Sequence, residues 1–342
     1  MKKRIALFFL CTALLISALP VFFATSAATA SDHMLQLFEA KVFTASDGLK
    51  LNYRIYIPED YDEDKSYPLI LFMHGAGERG SDNQTQLATG ISSSFSNFNS
   101  RIYDCIVIAP QCPLDKKWVN VTTWNDCNYS TDAIPETPEL KAVVELFLQT
   151  QEDYSVDRDR VYATGLSMGG FATWDLAVRH PDLFAAIIPV CGGGDNRKAE
   201  LLADLPIWTF HGDADPTVPI DGTTNMVNSL KAAGNTKVKY NIIQGGAHNI
   251  WPDVYSNEAI YMWLLTQKLS NRASVKDDQV TEPPTETEAP PVTESFDGDT
   301  TESAPPASVD EKGCQSSVCG ILPIFVVATG AFLVRKKKRI AR

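Results

Sequence analysis

The pentapeptide Gly165-Leu166-Ser167-Met168-Gly169 constrains this chain more than any other feature. It follows a short β-type run, Arg160 to Thr164, and precedes an amphipathic helical stretch, Phe171 to Arg179. Strand, sharp turn and helix around G-x-S-x-G form the context of a nucleophile elbow. The turn is so tight that the serine takes strained backbone angles, and small residues must flank it so that helix and strand can close together. The motif alone arises by chance, so its weight depends on partners elsewhere in the chain.

Alternation governs the rest of residues 31–270. Two period-two runs, Glu39 to Ala45 and Leu49 to Ile57, are split by Ser46-Asp47-Gly48, a hairpin signal. Continuous apolar runs follow at Leu69 to Met73, Cys105 to Ala109, Val161 to Thr164, Ala185 to Val190 and Ile207 to Phe210, with a last run at Val238 to Ile243. Such runs are typical of parallel strands buried on both faces. Helix-like stretches lie between or after them at Pro138 to Leu148, Phe171 to Arg179, Thr223 to Ala233 and Asn257 to Leu269. The pattern predicts a three-layer α/β domain with a mostly parallel central sheet and antiparallel N-terminal strands.

A serine hydroxyl is a weak nucleophile unless a base takes its proton and an acid holds that base. His248 follows the last strand in Gly245-Gly246-Ala247-His248, where two glycines allow the loop to fold back over the sheet edge. The acid should come from the loop after Ile207 to Phe210, where Asp213, Asp215 and Asp221 are all candidates. Asp215 is favoured, because it lies further from the strand end and Pro216 stiffens it. The order Ser167, Asp, His248 is the order of an elbow-type hydrolase. One oxyanion donor is the backbone N–H of Met168. The other should come from His74-Gly75-Ala76-Gly77-Glu78-Arg79-Gly80, with Ala76 favoured and Gly77 the alternative. A phosphate-cradling loop is excluded there, since the Lys-Ser/Thr pair of a P-loop is missing.

His74 to Gly80, Ala109-Pro-Gln-Cys-Pro113, Gly165 to Gly170 and His211-Gly-Asp-Ala-Asp-Pro-Thr-Val-Pro219 together resemble the secreted bacterial α/β-hydrolases. The similarity is to the dienelactone-hydrolase and prolyl-oligopeptidase-like esterases, including feruloyl esterases and predicted peptidases, and it spans roughly Phe43 to Leu269. The resemblance implies the α/β-hydrolase fold, with Ser167, Asp215 and His248 as a catalytic triad. It implies much less about substrate. Trp118, Trp124 and Tyr129 lie in a long segment at the sheet edge where ligands bind, and Trp118 and Trp124 are the expected substrate contacts.

The ends of the chain carry an address. Residues 1–30 read as a signal peptide, with Lys2, Lys3 and Arg4 before an apolar stretch and Ala28-Thr29-Ala30 as the cleavage site. Residues 271–312 are rich in Pro, Thr, Glu, Ser and Asp and read as a disordered stalk. In residues 313–342, the apolar run Val318 to Val334 ends on Arg335-Lys336-Lys337-Lys338-Arg339, the pattern of a C-terminal transmembrane anchor with a cytoplasmic tail. No Leu-Pro-x-Thr-Gly sortase site accompanies it, because Leu322-Pro323 continues Ile324-Phe325.

Between signal and stalk remain 31 acidic residues against 18 basic ones, so the domain is acidic and nucleic acid is not an expected partner. Cysteine spacing shows no metal pattern, and the reaction calls for no cofactor. Export permits a disulfide, and Cys105 with Cys127 is the expected pair. The reading as a whole is a surface-tethered serine carboxylesterase acting on feruloyl or acetyl esters of plant polysaccharide. A peptidase with the same triad, or a non-catalytic surface binding protein, are the alternatives.

Overall fold

The computed structural model describes residues 29–125 and 129–273. In chain order these form α1 (Asp32–Leu37), β1 (Glu39–Thr44), β2 (Lys50–Tyr56), β3 (Tyr67–Met73), α2 (Ile91–Ser94), β4 (Ile106–Pro110), α3 (Pro138–Asp153), β5 (Val156–Leu166), α4 (Met168–Arg179), β6 (Ala186–Val190), β7 (Ile207–Gly212), α5 (Asp221–Ala232), β8 (Val238–Ile243), α6 (Trp251–Tyr255) and α7 (Glu258–Leu264). The eight strands make one sheet in the order β1-β2-β4-β3-β5-β6-β7-β8. β1 pairs antiparallel with β2, and β2 antiparallel with β4. From β4 to β8 every pairing is parallel. This is the α/β-hydrolase fold, with the antiparallel start and parallel remainder that the strand patterns predict.

Burial explains the apolar runs. In β3, Leu69, Leu71 and Met73 enter one core with residues of α3, α4 and α5, whereas Ile70 and Phe72 enter a second core with α1, α2, α6 and α7. A strand covered on both faces has no position left for a polar side chain, so β3 is buried at every residue. β1, at the sheet's edge, is mostly exposed.

Differences from the sequence reading have local causes. β5 begins five residues early, because its first half carries Asp157, Arg158 and Asp159 on partly exposed backbone and shows no apolar run. α3 continues through a polar last turn to Asp153; its start is fixed by Thr137, whose hydroxyl accepts from the Leu140 amide at 3.1 Å. The expected helix Asn257 to Leu269 is instead two short helices. The Asn257 side chain caps α7 through the Ala259 amide at 3.0 Å, and α6 precedes it.

The expected pairing of Cys105 is corrected. Cys105 is a free, fully buried thiol, 3.4 Å from the Arg101 carbonyl, and burial pushes its pKa up. It sits just before β4, at the opposite end of that strand from the loops that carry Ser167 and His248, so it cannot pin the site's rim; Cys127 lies outside the described residues. The folded part also runs past Ser270. The Arg272 side chain is fully buried, with Nη2 3.0 Å from Asp204 and Nη1 bonded to the Phe184 carbonyl at 2.9 Å and to that of Pro181. Arg272→Ala is expected to cost about 3 kcal/mol in chemical denaturation, since it empties a fully buried side-chain site and strips Asp204 and two carbonyls of their partner.

The expected stalk beyond residue 273, the anchor, and residues 1–28 of the expected signal lie outside the described residues. Among those described, no helix is long and apolar enough to cross a membrane.

Candidate active site

The elbow follows from three neighbouring constraints. β5 ends at Leu166, α4 begins at Met168, and Ser167 between them has φ 54° and ψ −119°, a conformation that costs a non-glycine residue energy. Its amide donates to the Val190 carbonyl on β6 at 2.9 Å. One turn on, a Cβ at Gly169 would lie 2.0 Å from the Met73 carbonyl oxygen, so α4 can pack this close to β3 only with glycine there. The strained serine is thus locked by strands on both sides.

The loops after β7 and β8 bring two side chains to it. His248 Nε2 lies 2.8 Å from Ser167 Oγ, and His248 Nδ1 lies 2.7 Å from Asp215 Oδ2. A carboxylate only accepts, so Nδ1 carries the imidazole proton and Nε2 is left to accept the serine's. Asp215 Oδ1 accepts from the Thr217 and Val218 amides at 2.8 and 2.9 Å, and its side chain is wholly buried. Ser167 is 9% exposed, enough for a reacting group at the surface of the sheet edge. Asp213 is exposed and accepts from the Gly245 amide at 2.6 Å, ordering the loop that carries His248. Asp221 opens α5. Trp251 meets the His248 ring edge-to-face with centroids 5.2 Å apart.

The loop after β3 lies against the elbow. A Cβ built on Gly75 would be 3.5 Å from Ser167 Cβ and 2.8 Å from Leu166 Cδ1. Ala76 is the first residue of a 3-10 turn, Ala76–Glu78, and Met168 is the first residue of α4. The first N–H groups of a helix have no intrahelical acceptor and sit at its positive end. Both expected donors therefore come from helical starts beside Ser167.

His74 and Trp118 have roles the sequence reading did not assign. His74 Nε2 accepts from the Cys112 amide at 2.9 Å, which leaves Nδ1 to donate to the Gly75 carbonyl at 2.6 Å. Burial lowers its pKa to about 4, so the ring stays neutral and keeps both bonds. Trp118 Nε1 donates to the His74 carbonyl at 3.2 Å, and the Trp118 carbonyl accepts from Thr137 at α3. Trp118, an expected substrate contact, is fully buried against this loop. Trp124 is half-buried, 5.7 Å from the Phe171 ring and 5.0 Å below Lys117 Nζ. Tyr129 is buried, its hydroxyl donating to Asp175 on α4.

Among the described residues, one group has metal-ligand spacing. The donor atoms of Cys191, His211 and Asp215 lie within 4.8 Å of one another. They do not suit a cation well. Burial pushes the Cys191 thiol up to about 12, so it holds its proton, and Asp215 is already engaged by His248.

This arrangement has relatives. A family model described as phospholipase/carboxylesterase matches residues 60–262. The chain belongs to that family. The chain is 30% identical over 181 residues to a probable feruloyl esterase C of Aspergillus terreus, and 28% identical over 182 residues to a feruloyl esterase C of Emericella nidulans. Each match covers 52% of this chain and 60% of the fungal protein, so the chain spans less than two thirds of those relatives' length. The crystal structure of a thermostable esterase superposes with a TM-score of 0.63 at 35% identity, over 69% of this chain and 64% of that one. The match to the carboxylesterase family takes in all four loops that meet at Ser167.

Proposed function

We propose that this chain is a serine carboxylesterase working through an acyl-enzyme. The observation that carries the reading is the continuous hydrogen-bonded line Asp215–His248–Ser167, at 2.7 and 2.8 Å. Ser167 Oγ attacks the ester carbonyl carbon as its proton passes to His248 Nε2. Asp215 stabilises the imidazolium that forms. The Met168 and Ala76 amides hold the oxyanion, where preorganised donors contribute most to the rate. His248 then protonates the departing alcohol, and a water activated by the same ring releases the acid.

The proposed substrates are feruloyl or acetyl esters of plant polysaccharide. Support comes from relatives that bear the name feruloyl esterase and from the exported, stalked organisation that the sequence suggests. Trp124, half-buried beside the first turn of α4, is the proposed aromatic contact for the acyl group. Assays on methyl ferulate, aryl acetates, feruloylated and acetylated xylan fragments and peptide amides test the reading. Ester turnover is expected to exceed amide turnover by a wide margin, and equal rates on peptide amides would favour the peptidase instead.

We also propose that the protein is tethered at the cell surface. The apolar run Val318 to Val334 is about seventeen residues, the lower limit for a membrane span, and the basic block after it resists crossing. The full-length protein is then expected to fractionate with membranes and to be released by protease cutting within Thr281 to Ala307. A chain ended just after Arg272 should be secreted free with unchanged turnover on small esters. Full-length protein found wholly in the supernatant with its C-terminus intact would rule the tether out.

A further inference from the structure

His211, on β7, stands four residues before Asp215, and both side chains are fully buried. Its Nε2 lies 3.0 Å from the Val218 carbonyl and 3.3 Å from Asp215 Oδ2, the oxygen that also faces His248. A carbonyl only accepts, so Nε2 carries the proton and directs it between these two oxygens. Nδ1 can then only accept, so the Thr223 hydroxyl on α5, 2.7 Å away, turns its single proton to Nδ1 rather than to the Gly192 carbonyl that it approaches at the same distance. The ring is therefore gripped on both sides. Burial pushes its pKa down and keeps it neutral.

We propose that His211 is a positioning residue for the triad acid: its Nε2–H fixes the rotation of the Asp215 carboxylate and draws charge from the oxygen that binds His248. The proposal rests on the serine-triad reading above. Asp215 has no solvent contact, and among the described residues no lysine or arginine pairs with it. Its charge is held by two backbone amides on Oδ1 and two imidazoles on Oδ2. Without His211, His248 is the one imidazole left on Oδ2, and a carboxylate that is less satisfied by other donors holds an imidazolium more tightly. The other titratable groups around the pair do not replace it. The Cys191 thiol, just after β6, stays protonated and offers Asp215 only a weak S–H donor, Ser167 lies beyond His248, and Asp213 is exposed on Gly245.

The test compares kcat/KM against pH on an aryl acetate for the wild type, His211→Asn and His211→Gln. The amide of Gln can place a donor near the position of Nε2, whereas that of Asn reaches only the position of Nδ1. The acid limb, which tracks protonation of the base, is expected to move to higher pH by about half a unit or more in His211→Asn and to stay near wild type in His211→Gln. An Asn limb that stays put or moves down, or a Gln limb that moves as far as the Asn limb, overturns the proposal. If neither variant folds, histidine-selective 15N NMR on the wild type decides, because the chain has only five histidines. His211 must appear as the neutral Nε2–H tautomer, and an Nδ1–H tautomer overturns the role. Failure of the triad reading is separable from both results, since it would appear as retained activity in Ser167→Ala.

Discussion

Ser167→Ala is expected to lower kcat/KM on an aryl ester by about four to six powers of ten while leaving the melting temperature close to that of the wild type. In the proposed mechanism the rate loss follows from removing the atom that would form the new bond, with the surviving amides and binding surface leaving only residual catalysis. The small stability effect follows from the elbow. The serine hydroxyl makes its hydrogen bond to His248, whose ring is partly exposed and can bind water instead. The strained φ of 54° is imposed by the Val190 bond and the close approach of Gly169, both of which survive in the variant. Thermal unfolding and ester turnover on the same preparation check both halves. Near-wild-type ester cleavage would remove Ser167 from the reaction, and a collapsed melting temperature would mean that the hydroxyl supports the turn.

What could be read in the chain before folding was whatever depends on local chemistry. The elbow was legible because a strained serine needs small neighbours within two residues on each side. The buried strands were legible because two covered faces leave no polar position. The loops were not legible in the same way. A tryptophan in a long connection looks the same in sequence whether it faces a ligand or doubles back beneath the loop, and Trp118 does the latter. His74 and His211 each appear as a histidine followed by glycine at a strand end, and only the fold separates their duties. His74 pins the loop after β3, and His211 lies against Asp215. The Cys105 pairing failed for a topological reason, since a position near one end of β4 says nothing about which end of the sheet the following segment covers. Arg272 was hidden by its own composition. It stands in a polar tail, and its burial depends on Asp204 and on carbonyls about ninety residues away.

Asp215→Asn should separate the two acids that the sequence leaves side by side. In that variant the amide oxygen can still accept from Thr217 and Val218, so the loop keeps its shape. The amide NH2 then faces His248 Nδ1, and a donor there makes Nδ1 the acceptor. The proton moves to Nε2, the nitrogen that must accept from Ser167, and the base is present in the wrong tautomer. Loss of the negative charge also removes the partner of the imidazolium. The expected cost is on the order of a thousandfold or more in kcat, with a stability loss of about 1 to 2 kcal/mol because the new NH2 also faces the buried Nε2–H of His211. Asp213→Asn keeps a carbonyl oxygen for the Gly245 amide and touches no reacting group, so its kcat should stay within about a factor of two or three of wild type. Steady-state kinetics on one small ester, with both variants side by side, is sufficient. If Asp213→Asn carried the large loss and Asp215→Asn the small one, the hydrogen bond at 2.7 Å would be a structural contact, and His248 would take its orientation from the exposed carboxylate on the same loop.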